Sequence, residues 1–252
     1  MKVVALISGG KDSTFNILKC KEAGHDVVAL GNLYPVGSDE LDSYMYQSVG
    51  YQVIDLVGKC YGLPLFRRPI SGKPVNQKMI YEATPGDEVE DLYLLLKEVI
   101  EKHPDVKGVS SGALFSTYQK NRVEEVCARL GLTSLAYLWE REQVALLDEM
   151  IASGIEAIII KTAAMGLGQK HLGKSICELR DELVQLSSKY GLNPCGEGGE
   201  YETLTLDSPM CTQGRLELEP VTEEDIVVHC NNASAPVVFL RPRVKFIPKE
   251  SY

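Results

Sequence analysis

The chain predicts an α/β protein, with a doubly wound parallel sheet over residues 1–131 and a smaller mixed α/β domain over 132–252. Three observations carry this. Short apolar runs of strand length alternate with amphipathic helical stretches from the first residues onward, as in a parallel sheet covered by helices. A glycine pair, Gly9 and Gly10, stands between the first apolar run and the first helical stretch, where a helix N-terminus offers its N–H groups to an anion. Beyond Leu192 the alternation gives way to short β-like runs with no helices between them, so the second part is built differently. The 252 residues, 44% hydrophobic and 24% charged, have the composition of an ordinary soluble globular protein, with room for one large domain or two modest ones.

Taken in order, VVALI at 3–7 is the first strand, TFNILKCKEAG the first helix, and DVVALGNL at 26–33 the second strand. Together they form a β-α-β unit with a right-handed crossover. Residues 42–61 carry a mixed apolar and tyrosine pattern that predicts a helix, and PLFRRPI at 64–70 a third strand. GDEVEDLYLLLKEVIEKHP has Val89, Leu92, Tyr93, Leu96 and Ile100 on one face, acids in its first turn and Lys102 and His103 at its end, all features of a helix aligned with its dipole. VKGVSSG at 106–112 is a fourth strand. The helix after it places Val123, Val126, Cys127 and Leu130 in one stripe before Gly131. A loop then sets a soft boundary near Leu132, a single continuous domain being the alternative. REQVALLDEMIASG, IEAIIIKTA and SICELRDELVQLSSKYG read as helix, strand and helix, and TLTL, RLELEP, DIVVHC and PVVFLR as the closing strands.

Composition excludes several functions. The first apolar run is too short for a signal peptide or spanning helix, so a cytoplasmic protein with no membrane partner is expected. Seven scattered cysteines without a C-x-x-C pair suit a reducing compartment and argue against a zinc or iron–sulfur site. A net charge of −9 works against nucleic acid as substrate. Arg67–Arg68, the Lys120–Arg129 helix and the tail RPRVKFIPK are candidate basic patches, each more simply read as a solvated face.

The sharpest motif is ALISGGKDST. It fails both G-x-x-x-x-G-K-[ST] and G-x-G-x-x-G, so neither a typical phosphoryl transferase nor a dehydrogenase is indicated. Ser8 and Ser13 offer hydroxyls, Gly9 and Gly10 amides and Lys11 a cation to phosphate. Asp12 fits beside a polyanion if it caps the helix or helps hold Mg²⁺. SGGKDS is similar to the pyrophosphate loop of the ATP-pyrophosphatase (PP-loop) superfamily, a Rossmann-like nucleotide-binding fold; a serine-capped helix after a glycine turn is the plain alternative. The resemblance implies ATP as co-substrate, with Mg²⁺, and adenylation of a substrate oxygen followed by displacement of AMP. The end of the second strand, Ala29 to Asn32, is where such a fold places groups near adenine and ribose. No closely spaced cysteines serve sulfur transfer. Lys2 stands where a glutaminase nucleophile would be and no stretch remains for that domain, which leaves free ammonia as donor.

SGGKDS, ELDSYMYQSVG at 40–50, GDEVEDLY at 86–93, STYQKNRVEEVCARLGL at 116–132, LAYLWERE at 135–142, KHLGK at 170–174 and GEGGEYETLTLD at 196–207 together resemble the diphthine-ammonia ligase (diphthamide synthase) family over nearly the whole chain. The length resembles the short form of that family. The resemblance implies ATP-dependent amidation of diphthine, a modified histidine of translation elongation factor 2, by ammonia, with AMP and pyrophosphate released and an acyl-adenylate between. Modification of a tRNA base and a non-catalytic nucleotide-binding module are the alternatives.

On this basis Ser8, Gly9, Gly10, Lys11, Asp12 and Ser13 are expected to bind ATP, and Lys11, Asp12 and Glu200 to be catalytic. Glu197, Gly198, Gly199, Glu200, Tyr201 and Glu202 are expected to bind substrate: diphthine's trimethylammonium and the incoming ammonium are cations, suited to carboxylates and to the face of Tyr201. If Tyr201 and Thr203 point to one side of a strand and Glu200 and Glu202 to the other, these side chains cannot all reach one ligand. Gln119 and Arg122 follow a strand end and join the substrate list. Trp139 is read as a core anchor, Tyr44 and Tyr46 as helix packing or surface, and His171 is left out of the catalytic set.

Overall fold

The computed structural model describes residues 1–37, 45–47, 49–230, 232 and 235–249; residues 40–44 and 48 of ELDSYMYQSVG, Tyr44 included, lie outside the described residues. The first apolar run becomes β1 (Lys2–Leu6), the centre of a parallel sheet. Its neighbours are β2 (Asp26–Tyr34) and β3 (Leu65–Pro69) on one side and β4 (Val106–Ser110) and β5 (Thr133–Leu135) on the other, in the order β3-β2-β1-β4-β5. Successive side chains of a strand face opposite ways. Val3 and Ala5 therefore enter one core with α1 (Lys11–Glu22) and α2 (Ile54–Tyr61), while Val4 enters another with α3 (Glu88–Lys102) and α4 (Thr117–Leu130). The chain leaves β1 toward β2 and later returns to place β4 on its other side. The crevice at the carboxyl ends of β1 and β4 is the topological switch point at which open α/β sheets bind ligands.

Local chemistry explains the helix starts. The Asp87 side chain accepts from Val89 N–H ahead of α3, and Ser116 from Gln119 N–H ahead of α4, satisfying first-turn donors. Helix α1 begins at Lys11, earlier than the periodicity indicated, with Gly10 as N-cap and no side-chain cap. The helix expected across 42–61 starts only at Ile54, after a 3-10 turn at Tyr51–Val53. Before it, Gln47 Nε2 reaches across to donate to the Thr203 carbonyl (3.1 Å), a tertiary contact that overrides local propensity. Strand β5 was not foreseen. Three residues long with one buried side chain, it is too short to show a period, yet it pairs with β4 and carries the first sheet past residue 131.

The second part contains α5 (Gln143–Ala152), β6 (Glu156–Thr162), α6 (Ile176–Tyr190), β7 (Tyr201–Asp207), β8 (Gly214–Leu218), β9 (Ile226–Cys230), β10 (Val237–Leu240) and β11 (Val244–Pro248). An antiparallel sheet in the order β7-β6-β10-β9 is joined by a β11-β8 ribbon. Strand β7 lies against α1, and β8 and β11 against α2. One apolar core results, with Phe15, Ile17, Ile54 and Val57 packed with Ile158, Ile160, Tyr201, Leu204 and Phe239. The candidate basic patches are largely neutralised: Arg67 pairs with Asp55, Lys120 with Glu124, Arg243 with Asp225 and Lys249 with Asp207. Among the described residues no helix is long and apolar enough to cross a membrane.

Candidate active site

A cavity of about 480 Å³ opens at the switch point, within the size range of small-ligand sites. Its floor is Ser8, Lys11, Asp12 and Ser13, one wall is Gly31, Asn32 and Leu33 of β2, and a second is Ser111, Gly112, Ser116 and Gln119. The roof is Gly196 to Gly199 with Tyr201, Glu202 and Thr203. Two segments nearly two hundred residues apart thus face one another.

The glycine pair turns the chain between β1 and α1. Gly9 sits at φ 84°, a left-handed conformation that side chains disfavour. Across the crevice a Cβ on Gly112 would come within 2.7 Å of the Ser13 nitrogen, so glycine there lets the loop after β4 lie against the first turn of α1. Strand β7 holds the phosphate loop from behind: Thr205 N–H donates to the Gly9 carbonyl (2.8 Å) and Lys11 N–H to Thr203 Oγ1 (3.1 Å). Within the loop Gly10 N–H donates to Ser8 Oγ (3.2 Å) and Ser13 Oγ to the Gly10 carbonyl (3.1 Å).

Lys11 is 2% exposed. Its ammonium donates to Asp12 Oδ2 (2.9 Å) and to the Cys195 carbonyl (2.5 Å), and lies 5.0 Å from the centre of the Tyr201 ring. Burial is the largest single influence and opposes the charge, but the Asp12 carboxylate together with Tyr201 and Cys195 outweighs it and holds Lys11 above the ordinary lysine value. Asp12 does not cap the helix. Its Oδ1 is buried with no protein partner, the kind of oxygen that would complete the coordination of a phosphate-bound Mg²⁺, which takes one or two carboxylates and keeps phosphate and water for the rest. No cluster of three or more His, Cys, Asp or Glu suited to a metal occurs among the described residues.

The acidic glycine loop divides. Glu197 Oε1 accepts from Phe115 N–H and Ser116 N–H (both 2.9 Å), tying the roof to the start of α4. Burial pushes the Glu197 carboxyl up, while those two N–H groups pull it down. Glu202 lines the cavity and pairs with Lys161 (3.0 Å).

Three expected site residues have side chains engaged elsewhere than in the open cavity. Glu200 does not line the cavity; its Oε1 accepts from Asn193 N–H (2.9 Å) and closes its own loop. Tyr201 borders the cavity but is 2% exposed, donates its hydroxyl to the Pro194 carbonyl (2.6 Å) and has its ring taken by Lys11, so the ring is not open to a trimethylammonium group. Arg122 is 0% exposed and off the cavity. It donates to the carbonyls of Tyr118 (3.1 Å), Asn76 (2.5 Å) and Lys78 (3.0 Å) and stacks on Tyr118, bracing residues 76–78. Gln119 does line the cavity.

Other side chains were read differently from the sequence. Tyr46, expected in packing or at the surface, borders the cavity. Asn32, at the strand end expected near adenine and ribose, lines the cavity; 4% exposed, it donates to the Ile7 carbonyl (2.9 Å) and accepts from Arg67 Nε (3.0 Å). Thr203 was read only as sharing a strand face with Tyr201 and Thr205 was given no role, although polar residues alternating on a buried face marked both. Trp139 is half-buried under Lys120 rather than a core anchor. His171 is buried against Glu182 and Gly168, outside the cavity.

The chain is similar to known proteins along most of its length. Residues 1–134 match the model of the diphthamide synthase N-terminal domain and residues 142–233 that of the C-terminal domain. A diphthine--ammonia ligase of Danio rerio is 57% identical over 245 residues, covering 96% of this chain and 94% of the relative. The Schizosaccharomyces pombe protein of the same name is 53% identical over 242 residues; these are 96% of this chain but 39% of that longer protein. Among solved structures, a predicted subunit of tRNA methyltransferase from Methanocaldococcus jannaschii covers 83% of this chain and 98% of its own at 15% identity and a TM-score of 0.33. Matched by family models at both of its halves and by a full-length relative at more than half its positions, the chain belongs to the diphthamide synthase family.

Proposed function

We propose that this chain is a cytoplasmic diphthine-ammonia ligase, which uses ATP to activate the carboxylate of diphthine on translation elongation factor 2 and ammonia to convert it to the amide. One observation carries the reading: an anion-binding loop and an acidic loop close on one another around a single cavity, joined where Lys11 meets the Cys195 carbonyl. The chemistry needs both, because ATP is a polyanion whereas the trimethylammonium group and ammonium are cations.

Ser8, Gly9, Gly10 and Ser13 would hold the phosphates through amides and hydroxyls, and Lys11 would neutralise charge as pyrophosphate departs. Asp12 would hold Mg²⁺ with the phosphates, the metal contributing charge neutralisation. Gly198, Gly199, Gln119 and Glu202 border the space left for diphthine. Adenylation replaces a poor leaving group by AMP.

The test is the purified chain with ATP, Mg²⁺, ammonium and elongation factor 2 bearing diphthine. AMP and pyrophosphate should form together with the mass change of carboxyl to amide, and Asp12→Asn should lower AMP formation by roughly 100-fold or more if it supports the metal. AMP formed only in the presence of tRNA would overturn the reading.

A further inference from the structure

Ammonium is the form of the nucleophile at neutral pH, and it has no lone pair to attack with. A ligase that uses it needs a base in the cavity. Glu200, expected to be catalytic, accepts from Asn193 N–H and lies off the cavity lining. Of the carboxylates that border the cavity, Asp12 is engaged by Lys11 at 2.9 Å and Glu202 by Lys161 at 3.0 Å. Glu197 alone among these three has no cation within salt-bridge distance among the described residues.

Its placement suits a base. Two backbone N–H groups hold Oε1, which fixes the carboxylate plane, and no described group donates to Oε2. It faces the phosphate loop across the cavity, with Lys11 and Asp12 the charged groups opposite and Glu202 beside it on the roof. We propose that Glu197 receives the incoming ammonium and takes its proton, releasing ammonia against the activated carboxyl of the substrate. Burial and the nearby Asp12 charge raise its proton affinity, in the direction a general base at neutral pH requires.

The step balances without a further reactant. Ammonium and the Glu197 carboxylate give ammonia and the carboxylic acid. The nitrogen lone pair forms the C–N bond, the C–O bond to AMP breaks with its electron pair going to the phosphate oxygen, and the nitrogen sheds one more proton. Glu197 then returns its proton to solvent. The proposal rests on the amidation reading.

The experiment uses the full chain and Glu197→Gln, which keeps an acceptor for Phe115 and Ser116 but cannot take a proton. Three reactions are followed with diphthine-bearing elongation factor: ATP–pyrophosphate exchange, amide formation from ammonium, and hydroxamate formation from hydroxylamine, a nucleophile already neutral at pH 7. The variant should lose roughly 100-fold or more of ammonium-dependent amide while exchange and hydroxamate formation persist. Retained amide formation overturns the proposal, and so does parallel loss of all three reactions, which marks Glu197 as a brace of the cavity. A wild-type chain inactive in all three overturns the amidation reading itself and this proposal with it.

Discussion

Asn16 shows how much a single side chain does here. At 0% exposed on α1, it donates to Ser110 Oγ (2.7 Å) and the Leu135 carbonyl (2.8 Å) and accepts from Tyr137 N–H (2.8 Å). It therefore joins α1 to the ends of β4 and β5, just below the cavity. Asn16→Leu is close in volume but strips partners from the buried Ser110 hydroxyl and Leu135 carbonyl and from the part-buried Tyr137 N–H, and a buried group left unsatisfied costs on the order of 1–3 kcal/mol. We expect a loss of about 3 kcal/mol in urea unfolding with an unchanged slope; a loss below about 1 kcal/mol would show that the three groups find other partners. Such residues are hard to read from sequence. The phosphate loop was legible because its six residues are contiguous and its geometry is local to one strand-turn-helix. The placement of Glu197 at the cavity and of Glu200 away from it was not, because it depends on Glu200 accepting from Asn193 N–H and on the start of α4 arriving from eighty residues away.

Among the elements, α4 performs two tasks from two faces. Ser116, Gln119 and Val123 border the cavity, while Asn121 donates to the Met79 carbonyl (2.9 Å) and Arg122 to those of Asn76 and Lys78. The helix was legible from its stripe of Val123, Val126, Cys127 and Leu130. The inward turn of Arg122 was not, since a 3.6-residue period places a side chain on a face without saying what irregular segment will cover it. Arg122→Met keeps the apolar stem and removes the guanidinium. The carbonyls of residues 76 and 78 lose a charged donor, each such bond being worth about 1.5–3 kcal/mol. Amide exchange across residues 74–82 should accelerate while that of β1 stays slow, as expected when one locally stable unit is released. Equal acceleration in both segments would mean that Arg122 supports the whole fold.

At the scale of the molecule, composition and alternation gave the parallel sheet but not how the second part joins it. A three-residue strand crosses the expected boundary, and the face of α1 and α2 that a free-standing domain would present to water is buried beneath Ile158, Tyr201, Leu204 and Phe239. Two polar ties from Thr203 and Thr205 fix that packing onto the phosphate loop itself. The anion site is therefore braced by β7, and the two sheets should unfold as one cooperative unit. Near-UV and far-UV signals of the full chain should give coincident thermal transitions. A fragment of residues 1–134 should retain helical far-UV signal without a cooperative transition, because it exposes an apolar face that 25 cal/mol per Å² makes costly, roughly 1.5–3 kcal/mol for each large side chain left uncovered. A fragment that melts sharply with its own midpoint would mean that the parallel sheet is self-sufficient and that β7 merely docks on a loop already formed.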